Sequence, residues 1–227
     1  MAEQDAETLG AALGLVVHDL RNPAAALHAN MSFVREVAED PSVDPGEIVE
    51  ALDDCQQAMR DLMRGLDQLS SIGRWLSGQP LTAAKACDVD ETLRSVRDAL
   101  PQARIELTEL GTPTRVNGGE GLTRLLEILV ANAAQHSPSK PIRLSAELAD
   151  GKVHLRVRDG GRAVPEEMRE EALTLEGQLA SKKRNGGRYG RVLGLFVAKL
   201  LADSLCAELQ LEGEDGDAQF RLTLPLA

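Results

Sequence analysis

The chain has 227 residues, 43% hydrophobic and 27% charged, with a formal net charge of −11. This is the composition of a folded globular protein long enough for two small domains or one large one, and its negative charge argues against non-specific binding to nucleic acid, so no nucleic-acid partner is expected. Aromatic residues make up only 2%, no stretch reaches the roughly 18 apolar residues of a membrane span, and no secretion leader follows Met1, so a cytoplasmic protein with no membrane partner is expected.

From Leu9 the apolar positions run Leu13, Val17, Leu20, Ala24, Leu27, Met31, Val34 and Ala38. Alternating steps of four and three make a heptad seam on one long helix. The stretch EDPSVDPGE, residues 39–47, ends it with two prolines and a glycine. The pattern resumes at Ile48, Leu52, Cys55, Met59, Leu62, Leu66, Leu69, Ile72 and Leu76, a second long helix. Two such helices form a narrow hairpin that cannot bury its seams alone, so a homodimer closing a four-helix bundle is expected. Cys55 falls in the apolar register, and the wide spacing of Cys55, Cys87 and Cys206 indicates neither a disulfide framework nor a zinc site.

SGQPLTAAKACDVD, residues 77–90, lacks a period and reads as a linker. Beyond it, 91–100 predicts a short helix, 103–110 a strand, and 121–135 a helix through Leu122, Leu125, Leu126, Leu129 and Ala133. Ile142, Leu144, Ala146 and Leu148 alternate on one strand and Val153, Leu155 and Val157 on the next, with Asp150-Gly151 as the hairpin turn. A polar, Gly-rich stretch leads to a helix from about 191 to 203, and AELQL with FRLTLPL closes the chain as a second hairpin. The expected organisation is a helical hairpin over 1–78, a linker over 79–90 and, over 91–227, an α/β sandwich with helices on one face of a mixed sheet.

Four places concentrate chemistry-bearing residues. His18 sits one position off the first seam, on the exposed flank, beside Asp19. A carboxylate there holds one ring nitrogen as N–H and leaves the other as a nucleophile. Pro23 removes the N–H that would bond the Asp19 carbonyl, so a bend is expected one turn away. Taken alone, the pair reads equally well as a solvent-facing His-Asp beside a tolerated proline. Asn132 on its helix offers a neutral oxygen suited to a hydrated Mg²⁺, and equally an ordinary surface amide. Asp159, just past a strand, is placed to accept an N–H, or simply ends the strand. Gly160 and Gly161 let backbone approach a ligand or make a turn. Gly187, Gly190 and Gly194 suit a mobile lid, with Lys182, Lys183, Arg184, Arg188 and Arg191 as charge for phosphates or as a solvated loop.

Together these motifs resemble those of two-component histidine kinases, over nearly the whole chain and in the family's order. VVHDLRNP (16–23) is similar to the H-box, ILVANAAQHSP (128–138) to the N-box, VRDGGRAVP (157–165) to the G1 box and GRYGRVLGLFVAKLLA (187–202) to the G2 box; FRLTLPL resembles the closing strand. The resemblance implies a dimerisation and phosphotransfer hairpin followed by a GHKL-type ATP-binding domain. It implies autophosphorylation of His18 from Mg-ATP and transfer to an aspartate of a response-regulator receiver domain. Asp19 would orient His18, Asn22 would position water for dephosphorylating the regulator, Asn132 would ligate Mg²⁺, Asp159 would read the adenine amino group, and Gly161, Gly190 and Gly194 would border the nucleotide.

The sequence departs from the family at Ala163 and Val192, each replacing a glycine, at Gln135 in place of a lysine, and at Ile128 in place of an asparagine; no phenylalanine-rich box lies between 166 and 186. The added Cβ atoms favour a rival reading, a histidine phosphotransfer protein whose ATP domain is only a scaffold. Retained Asn132, Asp159 and Asp19 oppose it. A serine kinase or general ATPase of the same fold leaves the heptad hairpin and its His-Asp pair without a purpose.

Overall fold

Asp44 starts the second helix: its side chain accepts the Gly46 N–H at 2.9 Å, and Pro45 stands in the first turn, where its missing N–H leaves no bond unmade. That helix, α2 (Pro45–Leu76), follows α1 (Ala2–Val37), which runs unbroken through Pro23. The computed structural model describes residues 2–227 other than 39, 41, 84, 138 and 185–192.

Leu20 meets Gly65, and the Cys55 thiol approaches the Leu27 carbonyl at 3.9 Å, so the two helices run antiparallel. A Cβ on Gly65 would lie 2.4 Å from Leu20 Cδ2; the glycine lets the helices close on one another beside His18. Within the single chain much of the heptad seam lies open, and the residues buried between the helices are mostly its neighbours. Ala12 and Val16 on α1 and Ala51, Cys55 and Ala58 on α2 are buried, whereas Leu13, Val17 and Met31 with Leu52, Met59, Met63 and Leu66 stay exposed. Ala12, Val16 and Ile72 join the core of the following domain, so one end of the hairpin is packed onto it.

That domain begins with β1 (Ala86–Asp88), paired antiparallel with β3 (Arg115–Asn117) as a two-stranded ribbon. Between them lie α3 (Val89–Ala99) and β2 (Ile105–Thr108); after them come α4 (Gly119–His136), β4 (Ile142–Ala149) and β5 (Lys152–Arg158). Two 3₁₀ turns at Glu166–Met168 and Glu171–Leu173 lead to α5 (Leu175–Arg184), then α6 (Gly194–Ser204), β6 (Glu208–Glu212) and β7 (Gln219–Pro225). The main sheet has the order β2-β4-β5-β7-β6, parallel only between β2 and β4. Val153, Leu155 and Val157 on β5 and Phe220, Leu222 and Leu224 on β7 point into the core beneath α3, α4 and α6. Asp150 and Gly151 both have positive φ, 51° and 70°, as a two-residue hairpin turn requires. The mixed sheet with helices on one face is the α/β sandwich expected of residues 91–227.

Three features differ from the sequence reading. The segment expected as a linker, 79–90, contains β1 and the start of α3, whose cap is Asp88 accepting the Glu91 N–H at 3.1 Å. The ribbon strands are three residues long, too short for an alternation to register. The polar stretch after β5 folds into the two 3₁₀ turns and α5.

Candidate nucleotide cleft and phosphoacceptor helix

A cleft of about 690 Å³ opens between α4, the loop after β5, the 3₁₀ turns and α5. Its α4 wall carries Asn132, Gln135 and His136, spaced three and four residues apart and so on one face of the helix. The buried stripe of Leu122, Leu125, Leu126, Leu129 and Ala133 fixes the rotation of α4 and leaves Asn132 at its edge. The Asn132 amide makes no hydrogen bond among the described residues, so its oxygen is available to a ligand in the cleft. No group of three His, Cys, Asp or Glu side chains that could hold a metal occurs among the described residues. The Asn132 amide oxygen is a ligand of the kind a hydrated divalent ion takes beside phosphate oxygens and water.

Asp159, 8% exposed, follows β5 at the base of the cleft. Its Oδ1 accepts two hydrogen bonds, from the Gly161 N–H at 2.5 Å and the Ser137 hydroxyl at 3.1 Å. Gly161 therefore stands behind the carboxylate and outside the cleft wall. A Cβ there would lie 2.5 Å from Asp159 Oδ1 and 2.6 Å from Ser137 Oγ. The loop between β6 and β7 braces this segment: Gly216 N–H donates to the Gly161 carbonyl at 2.8 Å, and Ala163 N–H to Asp215 Oδ1 at 3.0 Å. Arg169 donates to the carbonyls of Val164 and Gly213 at 3.1 and 2.7 Å. Ala163 lines the cleft, yet its backbone is held in a defined place.

On the far wall, Gly177 lies against the second 3₁₀ turn; a Cβ there would sit 1.9 Å from the Glu171 carbonyl oxygen. Gly194, the first residue of α6, touches Ile128 and Gln68 at 3.6 and 3.7 Å from its ideal Cβ position, at the meeting of α6, α4 and α2 rather than in the cleft lining. Gly187, Arg188, Gly190, Arg191 and Val192 lie outside the described residues, as do the side chains of Lys182, Lys183 and Arg184.

On α1, the His18 side chain is 61% exposed and that of Asp19 17%. His18 Nδ1 approaches Asp19 Oδ1 at 3.4 Å, the long end of a hydrogen bond, so Nε2 is the ring nitrogen turned from the carboxylate. Asp19, Asn22 and Pro23 face Asp61 and Arg64 of α2 across a groove of about 530 Å³. Gln135 and Leu193 of the α/β domain also line the groove. Gln135 therefore borders both the groove beside Asp19 and the nucleotide cleft. His18 itself lines neither cavity. Sequence reasoning did not single out Ser137 or Gly177; both lie outside any apolar period, and their roles depend on contacts with residues distant in space, not in pattern.

A braced, carboxylate-floored cleft on a mixed sheet is the arrangement of a GHKL-type α/β domain, here preceded by a long helical hairpin. Residues 117–227 match the family of histidine kinase-, DNA gyrase B- and HSP90-like ATPases. The sensor histidine kinase YkoH of Bacillus subtilis strain 168 is 31% identical over 207 residues, 88% of this chain and 43% of that protein. The signal transduction histidine-protein kinase AfsQ2 of Streptomyces coelicolor is 26% identical over 225 residues, 92% of this chain and 40% of AfsQ2. The structure of the Acinetobacter baumannii histidine kinase AdeS shares the fold with a TM-score of 0.57 at 17% identity, over 92% of this chain and 98% of the AdeS chain. The chain belongs to the two-component sensor histidine kinase family. It spans less than half the length of the two curated relatives, and among its described residues no helix is long and apolar enough to cross a membrane.

Proposed function

We propose that this chain is the kinase core of a two-component system, loading a phosphoryl group from Mg-ATP onto His18 and passing it to an aspartate of a response-regulator receiver domain. The observation that carries this reading is Gln135, which borders both the nucleotide cleft and the groove beside Asp19. A phosphoryl group leaving the cleft on that side emerges toward the helix that bears the nucleophile.

Asp159 accepts the adenine amino N–H through Oδ2, since Oδ1 is already engaged. Asn132 would hold Mg²⁺, which lowers the charge on the departing ADP. Neutral His18 keeps its proton on Nδ1, toward Asp19, and attacks the γ-phosphorus through Nε2. The N–P bond forms as the P–O bond to ADP breaks, and the Nδ1 proton passes to Asp19. Asn22, in the same groove, positions water when the phosphorylated regulator is hydrolysed. The exposed stripe of Leu13, Val17, Leu52, Met59 and Met63 is the face that a second copy covers to complete a four-helix bundle. The setting is the cytoplasm, where ATP and receiver domains are found.

Ala163 in the cleft wall favours the second reading, a phosphotransfer protein whose ATP domain is a scaffold. Nucleotide binding distinguishes the two. The kinase reading expects ATP affinity that rises with Mg²⁺, loses that dependence in Asn132→Ala and falls at least tenfold in Asp159→Asn. A wild-type chain that binds no ATP but takes phosphate from a phosphorylated receiver domain supports the scaffold.

A further inference from the structure

We infer that Ser137 is a positioning residue of the adenine pocket: its hydroxyl pins the Asp159 carboxylate so that one oxygen is presented to the base. The inference rests on the nucleotide reading above and extends it to Ser137, which closes the same motif that carries Asn132.

Ser137 is 6% exposed and caps the C-terminal end of α4, its N–H donating to the Ala133 carbonyl at 3.0 Å. The same helix carries Asn132 one turn earlier. From that fixed point the Ser137 hydroxyl donates to Asp159 Oδ1 at 3.1 Å across the end of β5. The terminal torsion of an aspartate is broad and weakly defined, so an unanchored carboxylate samples many orientations. Here two donors converge on one oxygen, Ser137 Oγ–H and Gly161 N–H. The Asp159 N–H is itself tied to the Ala218 carbonyl at 2.9 Å, fixing the backbone beneath. The absence of a side chain at Gly161 is part of the same device, because a Cβ would fall against both Asp159 Oδ1 and Ser137 Oγ.

A carboxylate held in this way is an acceptor only, and it selects a ligand edge that donates. The 6-amino group of adenine donates; the 6-oxo group of hypoxanthine places an acceptor against an acceptor. The sharper the carboxylate is fixed, the larger that discrimination, because an Asp159 free to turn away relieves the clash. Ser137 thus acts on base selectivity through Asp159 and not by touching the nucleotide.

The test is competition of ADP and IDP against a fluorescent ATP analogue in the wild type, Ser137→Ala and Ser137→Thr. The wild type should prefer ADP. Ser137→Ala should weaken ADP about tenfold, the scale of one hydrogen bond, with IDP changed less than twofold. Ser137→Thr, which keeps the hydroxyl, should restore the preference. A general packing defect would weaken both nucleotides equally, and that result overturns the inference, as does a Ser137→Ala protein that keeps the full preference for ADP. A wild type that binds neither nucleotide overturns the adenine-pocket reading and the role of Ser137 with it.

Discussion

Trp75, the only tryptophan, stands edge-on to Phe196, with ring centroids 5.6 Å apart and planes at 88°. The pair joins the last turn of α2 to the first turn of α6, and so fastens the hairpin to the domain that faces it. Edge-to-face geometry sets the positive ring edge against the negative ring face and adds about 0.5–1.5 kcal/mol beyond the area buried. A double-mutant cycle of Trp75→Ala and Phe196→Ala, read by urea denaturation, should return a coupling in that range. Because Trp75 is 44% exposed, its single substitution should cost less stability than that of buried Phe196. Phe196→Leu should shift the tryptophan emission to the red.

Glu127 of α4 makes the same junction sensitive to pH. Burial pushes its carboxyl above the ordinary 4.5, against the opposing pull of Arg124 and Arg64; Asp67 adds a smaller push upward. A raised carboxylate favours the protonated folded form. Its contribution to stability is therefore greatest below the unfolded value and is lost as pH rises through the folded one. Glu127→Gln, neutral at every pH, should be more stable than wild type at pH 7. The difference should vanish near about pH 4, where the unfolded glutamate is itself largely protonated. Urea titrations at the two pH values check the sign.

Gly177 has no room for a side chain. A Cβ would meet backbone of the Glu171 turn at 1.9 Å, and backbone cannot turn aside as a flexible side chain does. Gly177→Ala should displace α5 from the cleft wall, lowering ATP affinity and destabilising the fold by about 1–3 kcal/mol, the range for an overpacked site. Calorimetric titration with ATP and a melting curve measure the two effects. Gly78→Ala, at a position with open space but φ of +64°, serves as a control that strains backbone away from the cleft.

The exposed stripe on the hairpin predicts its own test. Met63→Glu, on a face 52% open in the single chain, should leave the fold intact and convert a dimer to a monomer by sedimentation equilibrium. A charge buried in a helix-bundle seam without a partner is strongly unfavourable.

Much of this architecture is written in periodicity. Heptads mark α1 and α2, alternation marks β4 and β5, and Asp150-Gly151 marks their turn, because each is a local pattern answering to one buried face. The ribbon of β1 and β3 escaped notice because three residues cannot show a period. The heptad places Val17 on the seam, yet in the single chain it is the neighbouring Val16 that turns inward, a distinction of one residue that only packing decides. At the site, the motif residues Asp159 and Asn132 line the same cleft. Ser137 lies in the same motif as Asn132 but carries no signal of its own, since nothing in its neighbourhood in sequence points to a carboxylate 22 residues away. Gly161 was legible as a glycine the site needs, though it works behind Asp159.

The proposed reaction moves the γ-phosphoryl group of ATP bound in the neighbouring cleft onto His18. Incubation of the purified chain with γ-labelled ATP and Mg²⁺, followed by acid and base treatment, tests it most directly. The expected label is stable to base, labile to acid, absent from His18→Gln and sharply reduced in Asp159→Asn. Label that persists undiminished in His18→Gln would contradict it.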